Sequence, residues 1–118
     1  MEYTSEAFIN AIAPFDFFEG KSTYTLSIEA GDYLMDLFAT RADEGFMGNG
    51  YDIESLATVF LEEQFDGDAE AIEFDSEAGA FVAYCDNGAV LAEFALAFKE
   101  VCEDAERIAD LFSRAELL

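Results

Sequence analysis

The chain has 118 residues, 53% of them hydrophobic with thirteen Phe and five Tyr; one domain of this size can bury a dense core without staples. It carries 27 acidic and 5 basic residues for a formal charge of -22, so five cations neutralise at most five acids and the remaining 22 carboxylates repel one another in water. That balance weighs against binding nucleic acid or an anionic membrane, both of which need cationic surface, and no run of about 18 apolar residues is present to span a bilayer.

The opening MEYTSEAF is acidic and polar with no basic n-region, so no secretory signal is expected there. The segment Ala7 to Ile12 reads equally as a strand or a helical turn, and Pro14 breaks either. STYTLSIE alternates, with Tyr24, Leu26 and Ile28 on one side and Thr23, Thr25 and Ser27 on the other, which predicts a half-buried strand. DYLMDLFATRA places Leu34, Leu37, Phe38 and Arg41 at helical spacing behind Asp32 as a cap, with a strand as the alternative.

EGFMGNGYDIESL brings Gly45, Gly48 and Gly50 within six residues, just before a strong helical pattern. Asp52 reads as the N-cap, Ile53, Leu56, Ala57 and Phe60 face inward, and Glu54, Ser55, Thr58 and Glu62 face water. Tyr51 is expected to pack on the first helical turn or the sheet. AIEFDSEAGAFVAYC predicts a hairpin turning at SEAG, with Gly79 free to take positive φ and AFVAYC, apolar on both sides, an inner strand. Asn87 then caps a helix with Leu91, Phe94, Ala95, Phe98 and Cys102 on one face, and a last helix starts at Asp104 with Ile108, Leu111, Phe112 and Ala115 inward. Residues 1–118 thus form a single α+β domain, an antiparallel sheet with helices on one face.

Histidine is absent, which removes the commonest general base, metal ligand and nucleophile partner. Asp66, Asp68, Glu70 and Glu77 match positions 1, 3, 5 and 12 of a calcium loop, but Ala71 stands where glycine is required and a hairpin follows in place of a helix. The bland reading is a solvated acidic turn. The glycines do not form a phosphate cradle either. No lysine lies between Lys21 and Lys99, the spacing G-x-x-G-x-G reverses the dinucleotide fingerprint, and Asp43, Glu44, Asp52 and Glu54 would repel phosphate. They read as a sharp turn that delivers the helix cap. Cys85 and Cys102, with no C-x-x-C, predict two buried reduced thiols and a cytosolic location.

EGFMGNGYDIESLATVFLEE, followed by IEFDSEAGAFVAYCDNGAVLAEFALAF, resembles the immunity protein 51 family of bacterial polymorphic toxin systems. The family pattern is a Gly-Asn-Gly-Tyr-Asp stretch entering a helix, here Gly48 to Asp52. A Phe-Asp-x-Glu-Ala-Gly-x-Phe-x-Ala-Tyr hairpin follows, here Phe74 to Tyr84. Ile53 departs from the tryptophan often found there, and the likeness spans roughly the last two-thirds of the chain. The resemblance implies a cytoplasmic antitoxin, not an enzyme and with no cofactor, that neutralises a cognate toxin by binding it. The acidity argues the same way, since an acidic inhibitor is steered to a basic active-site cleft. Asp43, Glu44, Glu54 and Glu77, beside the glycine turn and the hairpin, are the first candidates for toxin contact, with Asn49 and Tyr51 to fix register. The alternatives are a nucleic-acid mimic that inhibits another basic protein, a carboxylate- and metal-dependent enzyme, and adaptation to a saline habitat.

Overall fold

A computed structural model describes residues 3–118. The segment Ala7 to Ile12, open between strand and helical turn, is helical: helix α1 spans Glu6–Ile12, and a separate strand, β1, spans Asp16–Glu19 beyond Pro14. Ser5 caps α1 by accepting from the Phe8 N–H at 3.2 Å. Helix α1 lays Phe8 and Ile12 into the core, and the chain turns through Ala13–Pro14 into the strand. Strand β2 covers Tyr24–Glu29 as the alternation predicts, with Leu26 and Ile28 buried.

Helix α2 spans Met35–Ala39, shorter than its pattern, and Asp32 does not cap it. The chain enters through Leu34 at φ 56°, a left-handed conformation with no side-chain cap. Helix α3 runs Gly50–Glu63, and its cap is Asn49, not Asp52. Asn49 accepts from the Asp52 N–H, while Asp52 at N3 reaches back to the Asn49 N–H, which is a capping box. Ser55, expected to face water, is buried. Its hydroxyl donates to the Tyr51 carbonyl at 3.2 Å, so it enters the interior without an orphaned polar atom.

Strands β3, Glu73–Phe74, and β4, Ala80–Cys85, form the predicted hairpin. Glu77 and Ala80 exchange both backbone bonds, leaving Ala78 and Gly79 as the loop. Gly79 does not take the positive φ expected of it. Helices α4, Gly88–Cys102, and α5, Ala105–Phe112, start at Asn87 and Asp104 as predicted. The sheet is antiparallel throughout in the order β1-β2-β4-β3, so the chain is α+β.

Register defines the two faces of the sheet. Phe17, Leu26, Ala83 and Phe74 align in one row across the four strands on the core side. There Phe15, Phe81, Phe94 and Phe98 meet edge-on, tilted or stacked at centroid distances of 5.3–6.3 Å. The next row, Phe18, Thr25, Tyr84 and Glu73, lies on the opposite face. That face is not packed over: β4 alternates, with Phe81, Ala83 and Cys85 buried but Ala80, Val82 and Tyr84 only half-buried. The expectation of AFVAYC buried on both sides is therefore corrected to one side. The two cysteines are buried and unbridged, as expected.

Candidate functional site

The glycine turn is built around Asp52. The residue is 2% exposed, and one carboxylate oxygen accepts from the backbone N–H groups of Met47 at 2.8 Å, Gly48 at 2.8 Å and Asn49 at 3.3 Å. A charge replaces water for three amides that no helix could satisfy. Gly48 reaches this geometry at φ 81°, and a Cβ on it would run into the Met35 thioether and touch Phe38, so a side chain there meets both strain and collision.

Gly50 has a different reason. Its N–H donates to the Ala78 carbonyl at 3.0 Å. A Cβ on it would overlap the carbonyl oxygens of Glu77 and Ala80. The N-terminus of α3 is thus seated directly on the tip of the β3–β4 hairpin. The other carbonyl of that tip, Gly79, accepts from the Ala30 N–H at 2.9 Å, which ties it to the end of β2. The two motifs picked out in the sequence form one structural unit.

Around this unit the six candidate residues have different circumstances. Glu77 is exposed at the hairpin tip, on the residue whose carbonyl faces Gly50. Tyr51 is 42% exposed and does not pack down as expected; it stands in the first turn of α3, and Glu54 follows it half-buried. The Asn49 carbonyl oxygen is committed to the cap. Asp43 and Glu44 lie exposed on a 3-10 turn, Ala42–Glu44, before the glycines. Glu44 is not a free charge. Arg41 donates to both its oxygens, at 2.7 and 2.8 Å, and that hydrogen bonding holds its carboxyl below the usual range. Arg41 also donates to the Phe112 and Ala115 carbonyls and covers the rings of Phe46 and Phe112 at 4.6 and 4.9 Å. It fastens the turn to the end of α5.

The match to the immunity protein 51 family model runs over residues 15–117. The chain belongs to the immunity protein 51 family. Comparison with curated proteins and with solved structures returns no match. Membership in an immunity protein family makes this an immunity protein with a toxin as the general class of its partner. The match begins well before the stretch that carried the sequence resemblance and takes in β1 and β2.

Two further features of this immunity protein escaped sequence reading. One is the open sheet face, which appears only once β1 is paired to β2. The other is a groove of about 580 Å³ between α2 and the α4–α5 junction, lined by Leu34, Met35, Leu37 and Ile108 and edged by Asp36 and Glu103. Beside it, burial holds the Tyr33 hydroxyl protonated far above its ordinary range, and the hydroxyl donates to Glu103 at 2.8 Å. Among the described residues no group of His, Cys, Asp and Glu is placed to hold a metal ion, and no helix is long and apolar enough to cross a membrane.

Proposed function

We propose that this immunity protein binds a cognate bacterial toxin domain and neutralises it by laying acidic surface over a basic site. The observation that carries the reading is family membership joined to a charge of -22. Among the candidate contact acids only Glu44 is neutralised by an arginine, and Asp43, Glu54 and Glu77 have no salt-bridge partner among the described residues. Arg41, Arg107 and Arg114 pair with Glu44, Glu100 and Glu63 of the same chain. The end of the molecule where α3 meets the hairpin is the first contact region, through Asp43, Glu44, Glu54 and Glu77. Tyr51 and the free amide of Asn49 fix register after encounter. The protein acts in the cytoplasm, a reading supported by the two unbridged buried thiols, and it turns over no substrate of its own.

The test is association kinetics with the toxin domain encoded beside this chain, at low and moderate salt. Steering by net charge predicts an on-rate that falls steeply with ionic strength. A salt-independent on-rate, or equal protection by a variant reversed at Asp43, Glu44, Glu54 and Glu77, refutes this mode of inhibition. Metal-dependent hydrolysis of nucleotides or phosphoesters by the purified protein, lost on mutating one carboxylate pair, refutes the absence of turnover.

A further inference from the structure

The sheet face opposite the core is uncovered, and its composition is distinctive. Alternation places Asp16 and Phe18 of β1, Thr25, Ser27 and Glu29 of β2, and Val82 and Tyr84 of β4 on it. Glu73 stands beside Tyr84, and Asp75 and Glu77 continue the same side of the hairpin opposite Val82 and Ala80. Asp16, Glu29, Glu73, Asp75 and Glu77 are exposed and frame the face, while Thr25, Ser27, Val82 and Tyr84 are half-buried and form its floor. Phe18 stands among them at 56% exposure. No strand position on this face is Lys or Arg, so its charge has no counterpart within the sheet. A row of four strands spans about 19 Å and a six-residue strand about 20 Å. That is roughly half of the ~800 Å² that one partner contributes to a standard interface, and the adjoining hairpin tip extends it.

The chemistry selects the occupant. A second copy of this chain would bring its own acidic face, and like charges opposed across an interface disfavour the pairing. Acidic residues on both edge strands likewise oppose edge-to-edge pairing. An anionic lipid surface is repelled for the same reason. What fits is a protein surface with an apolar centre ringed by Lys and Arg. The apolar centre covers Phe18 and Val82, and the cations meet the acidic frame.

We infer that this open face is where the toxin docks, with Phe18 as the buried anchor and the hairpin tip at Glu77 as the corner shared with the contact region proposed above. The inference rests on the immunity reading and names the surface that carries it out. Phe18 stands on the edge strand β1 and anchors that side of the contact, and an exposed aromatic that becomes desolvated on docking is the kind of residue on which binding energy concentrates.

The experiment measures the affinity of the adjacent-gene toxin domain for wild type and for Thr25→Arg and Val82→Arg, each checked for a native circular dichroism spectrum and cooperative melting. Phe18→Asp is measured alongside, because its site is exposed and it serves where an arginine on the floor unfolds the sheet. A control, Glu62→Lys with Glu106→Lys, changes net charge more than either arginine while touching only exposed helix positions. Docking on this face predicts at least about 100-fold weaker binding for the folded face variants and under about tenfold for the control. Face variants within about threefold of wild type, beside a wild type that binds, overturn the sheet face and leave the immunity reading standing. A control that weakens binding as much as the face variants overturns it too, because the effect is then net field. A wild type that does not bind overturns both.

Discussion

Gly50→Ala separates two accounts of the glycine turn because they predict opposite signs. Alanine is the better helix former by about 1 kcal/mol, and Gly50 is the first residue of α3, so propensity alone predicts a neutral or stabilising change. The structure predicts the reverse. The new methyl overlaps the carbonyl oxygens of Glu77 and Ala80, which are backbone atoms held in the two exchanged bonds of the hairpin. They cannot rotate aside as a side chain could. The helix end must draw away from the hairpin, which stretches the bond from the Gly50 N–H to Ala78. Overpacking costs about 1–3 kcal/mol, and an unsatisfied buried donor about 1–3 more. Less the propensity gain, the net is a loss of about 1–5 kcal/mol. Urea unfolding followed by circular dichroism reads this as a lower midpoint, by about 0.5–2.5 M at an ordinary slope for a chain of this size. A midpoint equal to or above wild type refutes the seating of α3 on the hairpin.

Asp52→Ala strips the acceptor from three backbone amides and is expected to cost about 3–5 kcal/mol in urea unfolding, whereas Asn49→Ala loses one cap bond and costs about 1; equal losses would show that the carboxylate does not organise the turn. Phe81→Ala, at a ring with 0% exposure, costs about 3–5 kcal/mol by the same measurement. Burial pushes the Cys102 thiol up from 9.0 to about 12. The folded state therefore favours the protonated thiol, so its contribution is whole below pH 9 and drains as pH climbs towards 12. Urea midpoints should fall between pH 9 and 11, and native Cys102 should resist iodoacetamide at pH 8; rapid alkylation of the folded protein contradicts its burial. Added sodium chloride should raise the melting temperature by screening the excess carboxylates, and a flat response between 20 mM and 0.5 M, on the order of the range over which screening changes most, counts against their mutual repulsion.

Where a segment's pattern is long and its face single, the sequence carries the answer. The inward residues of α4, Ile108, Leu111 and Phe112 of α5, and the caps Asn87 and Asp104 stand where periodicity puts them, whereas Ala115 is buried but lies beyond the helix, which ends at Phe112. The misses are local and have physical causes. Asn49 and Asp52 are both good caps three residues apart, and a capping box uses both, so composition alone does not say which is outside the helix. α1 and β1 are short and meet at Pro14, too brief for either period to declare itself. Ser55 is buried because its hydroxyl finds a carbonyl one turn back, a choice its neighbours in sequence do not reveal. The candidate acids near the glycine turn were legible, but the pairing of Glu44 with Arg41 was not, and the open sheet face depends on strand order, which no local pattern encodes.

The residues that reveal the family and the residues able to touch a toxin divide along burial. Gly48, Gly50, Asp52, Phe81 and Ala83 are buried, and each has a structural reason to be what it is: a positive φ, a close backbone approach, three amides to satisfy, a core to fill. None offers a side chain to a partner. Of the two matched stretches, the exposed side chains of Tyr51, Asp75 and Glu77 lie at the start of α3 and along the hairpin, with Ala78 and Gly79 exposed at its tip. With the docking face proposed above, scaffold and contact surface are separable, and that has a mutational consequence. Substitutions at the buried positions should lower stability and lose protection only as far as the protein unfolds. Substitutions at Phe18 and the acidic frame should lose protection without lowering the melting temperature, and those at Thr25 and Val82 should lose more protection than their loss of folded protein accounts for. Protection assays paired with melting curves for both sets sort them on two axes, and a buried-site variant that stays folded yet fails to protect would break the division.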